Sequence, residues 1–119
     1  MVILGIESSC DETAAAVCKN GTIISNVVQS QEIHHQFGGV VPEIASREHD
    51  SQINNIVHRA LEEGESTLND LHSIAVTYGA GLLGSLLVGL NYAKGLAIGL
   101  KIPFMGINHL EGHLYSNLL

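Results

Sequence analysis

Basic side chains are scarce in this chain. Lysine and arginine together number 5 in 119 residues, against 12 aspartates and glutamates, which leaves a formal net charge of −7. Binding to nucleic acid or to an anionic membrane surface rests largely on cations that neutralise phosphates, so this chain on its own is a poor candidate for either. Cysteine is equally sparse: Cys10 and Cys18 are the only two, too few for a disulfide framework and compatible with a reducing compartment. The N-terminus, Met1 to Glu7, lacks a basic stretch, and its apolar run is too short for a secretion signal. The longest apolar stretch, Gly81 to Leu100, is interrupted by Ser85, Asn91 and Lys94. It has the length of a membrane span, but its flanks read as alternating strand and helix. A soluble, cytoplasmic domain with no membrane partner is therefore expected. No internal repeat, linker or low-complexity segment is visible.

Apolar residues make up 45% of the chain and charged residues 14%, which excludes a mainly disordered polypeptide. Surface scaling gives about 6,200 Å² folded against about 18,400 Å² unfolded, enough for one domain with its own core and too little for two. Val2 to Glu7 reads as a short buried strand and Ala14 to Lys19 as a second. Asn20-Gly21 supplies the positive φ that a type I′ hairpin turn requires, and Thr22 to Ser30 follows as a third strand. Gln31 to Val41 reads as a loop. Pro42 suits the first turn of a helix running to about Glu63, where Gly64 stops it. Ser73 to Tyr78 is a fourth strand, Gly79 to Ser85 a glycine-rich turn opening a helix to about Leu100, and Pro103 to Ile107 a fifth strand. Asn108 then caps a last helix that runs off the end of the chain. The order βββαβαβα, with a mixed five-stranded sheet, is the α/β topology of the ribonuclease-H-like fold and of one lobe of the actin–sugar kinase–Hsp70 (ASKHA) architecture. Residues 1–119 are expected to form a single N-terminal lobe of a longer protein.

Four groups of residues invite a chemical reading. His109 and His113 are four apart at the start of the last helix, about 40° apart around it and about 6 Å along it. Two imidazoles so placed can close on one metal ion with Zn or Fe as natural choices, a third ligand coming from elsewhere; equally, they can be polar residues at a helix start. A metallopeptidase needs its glutamate next to the first histidine, whereas Glu111 points roughly 160–200° away from both. Glu7-Ser8-Ser9-Cys10-Asp11-Glu12-Thr13 is either an ordinary polar turn or a cradle for phosphate bridged by a divalent cation. The turn Gly79 to Ser85 presents backbone amides at a helix start, or it packs helix on sheet; Gly84, Gly89, Gly95 and Gly99 are read as close-approach positions. His34, His35, His49, His58 and His72 have no partner at metal spacing and are expected on the surface or in loops, and Cys10 is read as non-catalytic.

Four blocks in order carry a resemblance. Gly5 to Thr13, Gly38 to Arg47, Gly84 to Gly89 and Asn108 to His113 resemble the tRNA adenosine threonylcarbamoyltransferase family, whose members were formerly labelled O-sialoglycoprotein endopeptidases. The likeness spans essentially the whole chain. Ala80 departs from it, standing where the family usually has proline between two glycines. The resemblance implies transfer of a threonylcarbamoyl group from its adenylate to the amino group of the adenosine beside the anticodon of certain tRNAs. It implies Fe or Zn held by His109 and His113 with an aspartate of a second lobe, the metal holding the donor and polarising its carbonyl. Asp11 and Glu12 would assist near the acceptor side, and Ser8 and Ser9 would meet the cofactor, a threonylcarbamoyl-adenylate or adenine nucleotide that binds mostly to the second lobe. The chain alone is then expected to be inactive, with tRNA contacts supplied by the absent lobe and by partner proteins. An alternative is a non-catalytic interaction lobe whose glycine-rich helix docks a paralogous lobe, and the open apolar face would favour self-association.

Overall fold

A computed structural model describes residues 1–116 of the chain. It opens with three antiparallel strands: β1 (Val2–Glu7), β2 (Glu12–Lys19) and β3 (Thr22–Ser30). The β2–β3 turn forms as Asn-Gly dictates, with φ of 52° at Asn20 and 83° at Gly21. Strand β4 (Ser73–Gly79) then pairs parallel with β1, and β5 (Phe104–Asn108) parallel with β4, giving the five-stranded order β3-β2-β1-β4-β5. Three helices connect or extend these strands: α1 (Pro42–Glu63), α2 (Leu83–Leu100) and α3 (His109–Ser116). The element order is the one expected. The expected run of the last helix to the chain end falls on residues 117–119, outside the described residues.

The segment expected as a loop holds a 3-10 helix, Glu32–Phe37. It is organised by His34, which is buried rather than on the surface. Its Nε2 lies 2.6 Å from Gln31 Oε1, while its Nδ1 accepts a bond from the Val41 backbone N–H at 3.0 Å. Side-chain bonds that replace a missing ladder were not visible in the spacing of a segment without periodicity.

One face of the sheet carries the core. Alternation along β1 turns Val2, Leu4 and Ile6 inward, joined by Val17 of β2 and by Ile74 and Val76 of β4. They meet Ile53, Ile56, Val57, Ala60 and Leu61 on one stripe of α1 and Ala93 and Ala97 on α2. Leu4, Ile56 and Ile74 are fully buried, and each such side chain contributes roughly 1.5–3 kcal/mol relative to exposure. Helix α2 is long and apolar enough to span a membrane by length and composition; here one side of it is core. Gly89 lets it approach β1, because a Cβ there would lie 2.5 Å from Ser8 Oγ. Gly84 abuts Ser46, but a Cβ at Gly95 or Gly99 would meet nothing within 4 Å, so these two glycines face open space instead of serving a close approach.

The opposite face is floored by small residues, Gly5, Ala14, Ala16 and Ala75, which line a shallow apolar groove of about 250 Å³. Stability thus resides between the sheet and α1/α2. The carboxyl ends of the parallel strands β1, β4 and β5 are left to carry side chains of another kind, as open α/β sheets generally arrange it.

Candidate active site

Strand β5 passes into α3 without a loop, and Asn108 makes the junction. Its side-chain oxygen accepts the backbone N–H groups of Leu110 at 2.9 Å and Glu111 at 3.3 Å, a helix N-cap. The cap fixes where the first turn of α3 begins, and hence where His109 and His113 point. Their Nε2 atoms face each other 2.9 Å apart, with ring centroids 4.4 Å apart and planes at 81°. A metal ion holds imidazole nitrogens at about 2.0–2.1 Å, so two ligands at right angles on one ion stand about 3 Å apart. The pair therefore has a separation that suits joint coordination. No cluster of three or more potential metal-ligating side chains occurs among the described residues, so the two histidines supply two ligand positions and no more.

Behind His109 stands Glu7, the last residue of β1. His109 Nδ1 is 3.1 Å from Glu7 Oε2 and 3.2 Å from Ser9 Oγ. The Glu7 carboxylate also accepts the Ser9 backbone N–H on Oε1 at 2.6 Å and the Thr77 hydroxyl on Oε2 at 2.7 Å. Burial works to raise the Glu7 pKa, but the bonds from Ser9, Thr77 and His109 outweigh it and hold the carboxyl below its ordinary value. Sequence reasoning placed Glu7 in the turn without giving it a role. The available signal was parity: Val2, Leu4 and Ile6 face the core, so Glu7 ends the central strand on the opposite face.

Glu7, Ser9, Asp11, Glu12, His109 and His113 converge on a cleft of about 670 Å³, and among the described residues no lysine or arginine lines it. Asp11 and Glu12 thus share the cleft with the histidines, as does Ser9. Ser8 does not line it. Its side chain is buried, donating to the Ser85 carbonyl at 2.7 Å and accepting the Gly89 N–H at 3.1 Å, so its hydroxyl ties β1 to α2, on the side away from the cleft. The Cys10 thiol is pushed up by burial and then by the Asp11 charge, the reverse of what a thiolate nucleophile needs. Glu111 is exposed and outside the cleft lining, consistent with its position on the far side of α3.

One other expectation changes. His49 is not on a solvated helix face. It is fully buried, with Nδ1 2.7 Å from Thr13 Oγ1 and Nε2 2.8 Å from the Cys10 carbonyl. Because a carbonyl only accepts, Nε2 carries the proton and Nδ1 accepts from Thr13. His49 therefore pins both ends of the acidic turn to α1. The glycine-rich turn between β4 and α2 is also a packing element. The Leu82 N–H donates to the Ser9 carbonyl at 2.8 Å, and a Cβ on Gly81 would fall 2.6 Å from that same oxygen. It braces the Ser8-Ser9 turn from beneath and contributes no residue to the cleft.

The chain was compared with known proteins. The family model for tRNA N6-adenosine threonylcarbamoyltransferase (TsaD) matches residues 22–119. Curated relatives of that name include one from Caldicellulosiruptor saccharolyticus, 56% identical over all of this chain and 36% of the relative. Another, from Salinibacter ruber, is 60% identical over 98% of this chain and 35% of the relative. The chain thus spans about a third of the length of these relatives. Among solved structures, YeaZ from Pseudomonas aeruginosa superposes with a TM-score of 0.73 at 18% identity, over 90% of this chain and 43% of that one. Thermus thermophilus RuvC in complex with a Holliday junction superposes with a TM-score of 0.54 at 12% identity, over 92% and 66%. At those identities the likeness concerns the fold, which is ribonuclease-H-like, an ASKHA-type lobe with the element order βββαβαβα and the mixed five-stranded sheet expected. By its family-model match and by relatives more than half identical across its length, the chain belongs to the tRNA N6-adenosine threonylcarbamoyltransferase family.

Proposed function

We propose that the chain is the N-terminal lobe of a cytoplasmic enzyme that transfers a threonylcarbamoyl group from its adenylate to the N6 amino group of an adenosine in tRNA. In that transfer the amino nitrogen forms a bond to the carbamoyl carbon, the carbon–oxygen bond to the adenylate phosphate breaks, and the amino group loses a proton. The observation that carries the reading is the convergence of His109, His113, Asp11 and Glu12 on one cleft in a chain of this family. His109 and His113 would hold a divalent iron or zinc ion through their facing Nε2 atoms, with a further ligand from the rest of the protein. A bound ion supplies Lewis-acid polarisation of the donor carbonyl. Asp11 and Glu12 line the same cleft, where a carboxylate can accept the proton that the amino group sheds. Ser9 is the serine whose position suits contact with the threonylcarbamoyl-adenylate. An acidic cleft in a chain of net charge −7 repels phosphates, so tRNA and the nucleotide part of the donor are assigned mostly to the remaining two thirds of the protein and to its partners. The lobe alone is accordingly inactive in transfer. Isothermal titration of the full-length protein with Zn²⁺ and Fe²⁺ tests the site. His109→Ala and His113→Ala should each lower affinity at least about tenfold, and unchanged affinity in both would remove the metal from this reading.

A second role is compatible with the first: docking of a paralogous lobe, or self-association, through α2. Leu83, Leu87 and Ile98 are exposed on it, and Gly95 and Gly99 leave room for close approach. Gly89→Leu is unsuitable as a test, since Gly89 is packed against Ser8. Ile98→Asp with Leu87→Asp leaves the core intact and should abolish association in sedimentation equilibrium; an unaltered mass distribution would assign the contact elsewhere.

A further inference from the structure

We infer that Glu7 is a positioning residue that fixes the tautomer of His109, holding the ring proton on Nδ1 so that Nε2 is presented unprotonated toward His113 and the cleft. The inference rests on reading His109 and His113 as a ligand pair, and it concerns groups of this chain alone. Both oxygens of Glu7 already act as acceptors. Oε1 takes the Ser9 backbone N–H at 2.6 Å, and Oε2 takes the Thr77 hydroxyl at 2.7 Å. A proton on either oxygen would face a donor, so the carboxylate offers His109 only acceptor capacity at 3.1 Å. Nδ1 must then be the donor, which leaves the lone pair on Nε2. His113 Nε2 lies 2.9 Å away on that side. A carboxylate behind a histidine ligand orients the ring and sets its tautomer in metal sites generally. Here the device ties helix to sheet: the Asn108 cap sets where α3 begins, and Glu7, which closes β1 beside Thr77 on the neighbouring β4, holds the His109 ring against the sheet.

Glu7→Gln separates this role from simple packing, because the amide keeps the shape and loses one acceptor. The Ser9 N–H is a fixed backbone donor, so the amide oxygen turns to it and the NH₂ faces Thr77 and His109. Nδ1 then becomes an acceptor and the ring proton moves to Nε2. Thr77→Val is the control: it removes a donor to Glu7 and leaves Oε2 free for His109. Ring ¹⁵N and ¹³C chemical shifts of His109, recorded without metal at pH 7.5, should report the Nδ1–H form in the unaltered chain and in Thr77→Val, and a shift toward Nε2–H in Glu7→Gln. Zn²⁺ affinity of the full-length protein should fall by about 10–100-fold in Glu7→Gln and stay within about threefold in Thr77→Val. An Nε2–H ring in the unaltered chain overturns the assignment whether or not any variant folds, and so does a folded Glu7→Gln variant that keeps Nδ1–H. Absence of Zn²⁺ binding by the unaltered full-length protein would instead strike the metal reading, and the tautomer comparison would still judge Glu7.

Discussion

Two sets of histidines in this molecule do opposite things with the same ring. His49 is fully buried on α1 and has both nitrogens satisfied inside the fold, one by Thr13 and one by the Cys10 carbonyl. His109 opens α3 and His113 lies one turn further on, both lining the cleft, and among the described residues their Nε2 atoms have only each other. A ring whose hydrogen bonds are closed within the core is a structural part. A ring whose Nε2 meets a like nitrogen at 2.9 Å beside a cleft is, in the function proposed, one of two ligands for a shared ion. The difference lies in the partners, not in the residue type.

The comparison predicts where truncation is costly. His49→Ala leaves a cavity and orphans the buried Thr13 hydroxyl and the Cys10 carbonyl, which together cost about 2–4 kcal/mol. That is a large part of the roughly 5–15 kcal/mol a domain of this size has. Thermal unfolding should show a fall of roughly 8–16 °C, taking about 4 °C per kcal/mol. A loss below about 1 kcal/mol would mean that the turn is held without His49. Ser8→Ala comes next. It frees the Gly89 N–H and the Ser85 carbonyl at the β1–α2 contact, and it should cost about 1–2 kcal/mol, measured by urea denaturation. Ser9→Ala, on the cleft side of the same dipeptide, should cost less; equal losses would erase the division between packing face and cleft face.

Most of the frame was legible in the residues. Asn20-Gly21 specifies its turn, Pro42 and Gly64 bracket α1, and the parity of β1 specifies the core face. The pair at His109 and His113 was legible because helical spacing alone brings i and i+4 together. What escaped was every contact made across long sequence distance. His49 meets the 10–13 turn and Glu7 meets His109 only after β1, β4 and β5 are side by side, and no local periodicity encodes that registration. Ser8 and Ser9 are adjacent and chemically alike, and strand parity sends one to α2 and the other to the cleft. Motif spacing treats them as equivalent.

Acid should sharpen the contrast. Burial pushes the pKa of His49 down and His34 adds to the fall, against the Cys10 carbonyl and the Glu7 and Asp11 charges, which favour the cation. In the unfolded chain the ring protonates near its ordinary value of about 6.5, whereas in the folded chain it does so only at lower pH. Below about 6.5 the unfolded state binds more protons, so stability is fully present above that pH and falls as acid is added, by at most about 1.4 kcal/mol per pH unit for this one group. Glu7, depressed, contributes above about 4.5 and is lost further down, as pH falls through its folded value. Urea midpoints between pH 7.5 and 5.0 should therefore fall more steeply in the unaltered chain than in His49→Gln. Parallel slopes would move the titration to another group.

The smallest stability effect is expected where the function is placed. In His109→Ala, Glu7 keeps its bonds from Ser9 and Thr77, so no buried acceptor is orphaned. His113 is exposed and finds water in place of its partner. The lost hydrogen bond from His109 to Glu7 is about a third exposed on both sides, 30% for His109 and 32% for Glu7, and solvent competition at such exposure reduces its worth to about 0–1 kcal/mol. The net change should be within about 1 kcal/mol by urea denaturation without metal, well under half the loss in His49→Ala. Added Zn²⁺ should then raise the melting temperature of the full-length protein and leave that of its His109→Ala variant where it was, since an ion that binds only the folded state stabilises it by mass action. If His109→Ala instead destabilised the metal-free chain as much as His49→Ala, the two histidine environments would be equivalent structural parts, and the cleft would lose the feature that sets it apart from the core.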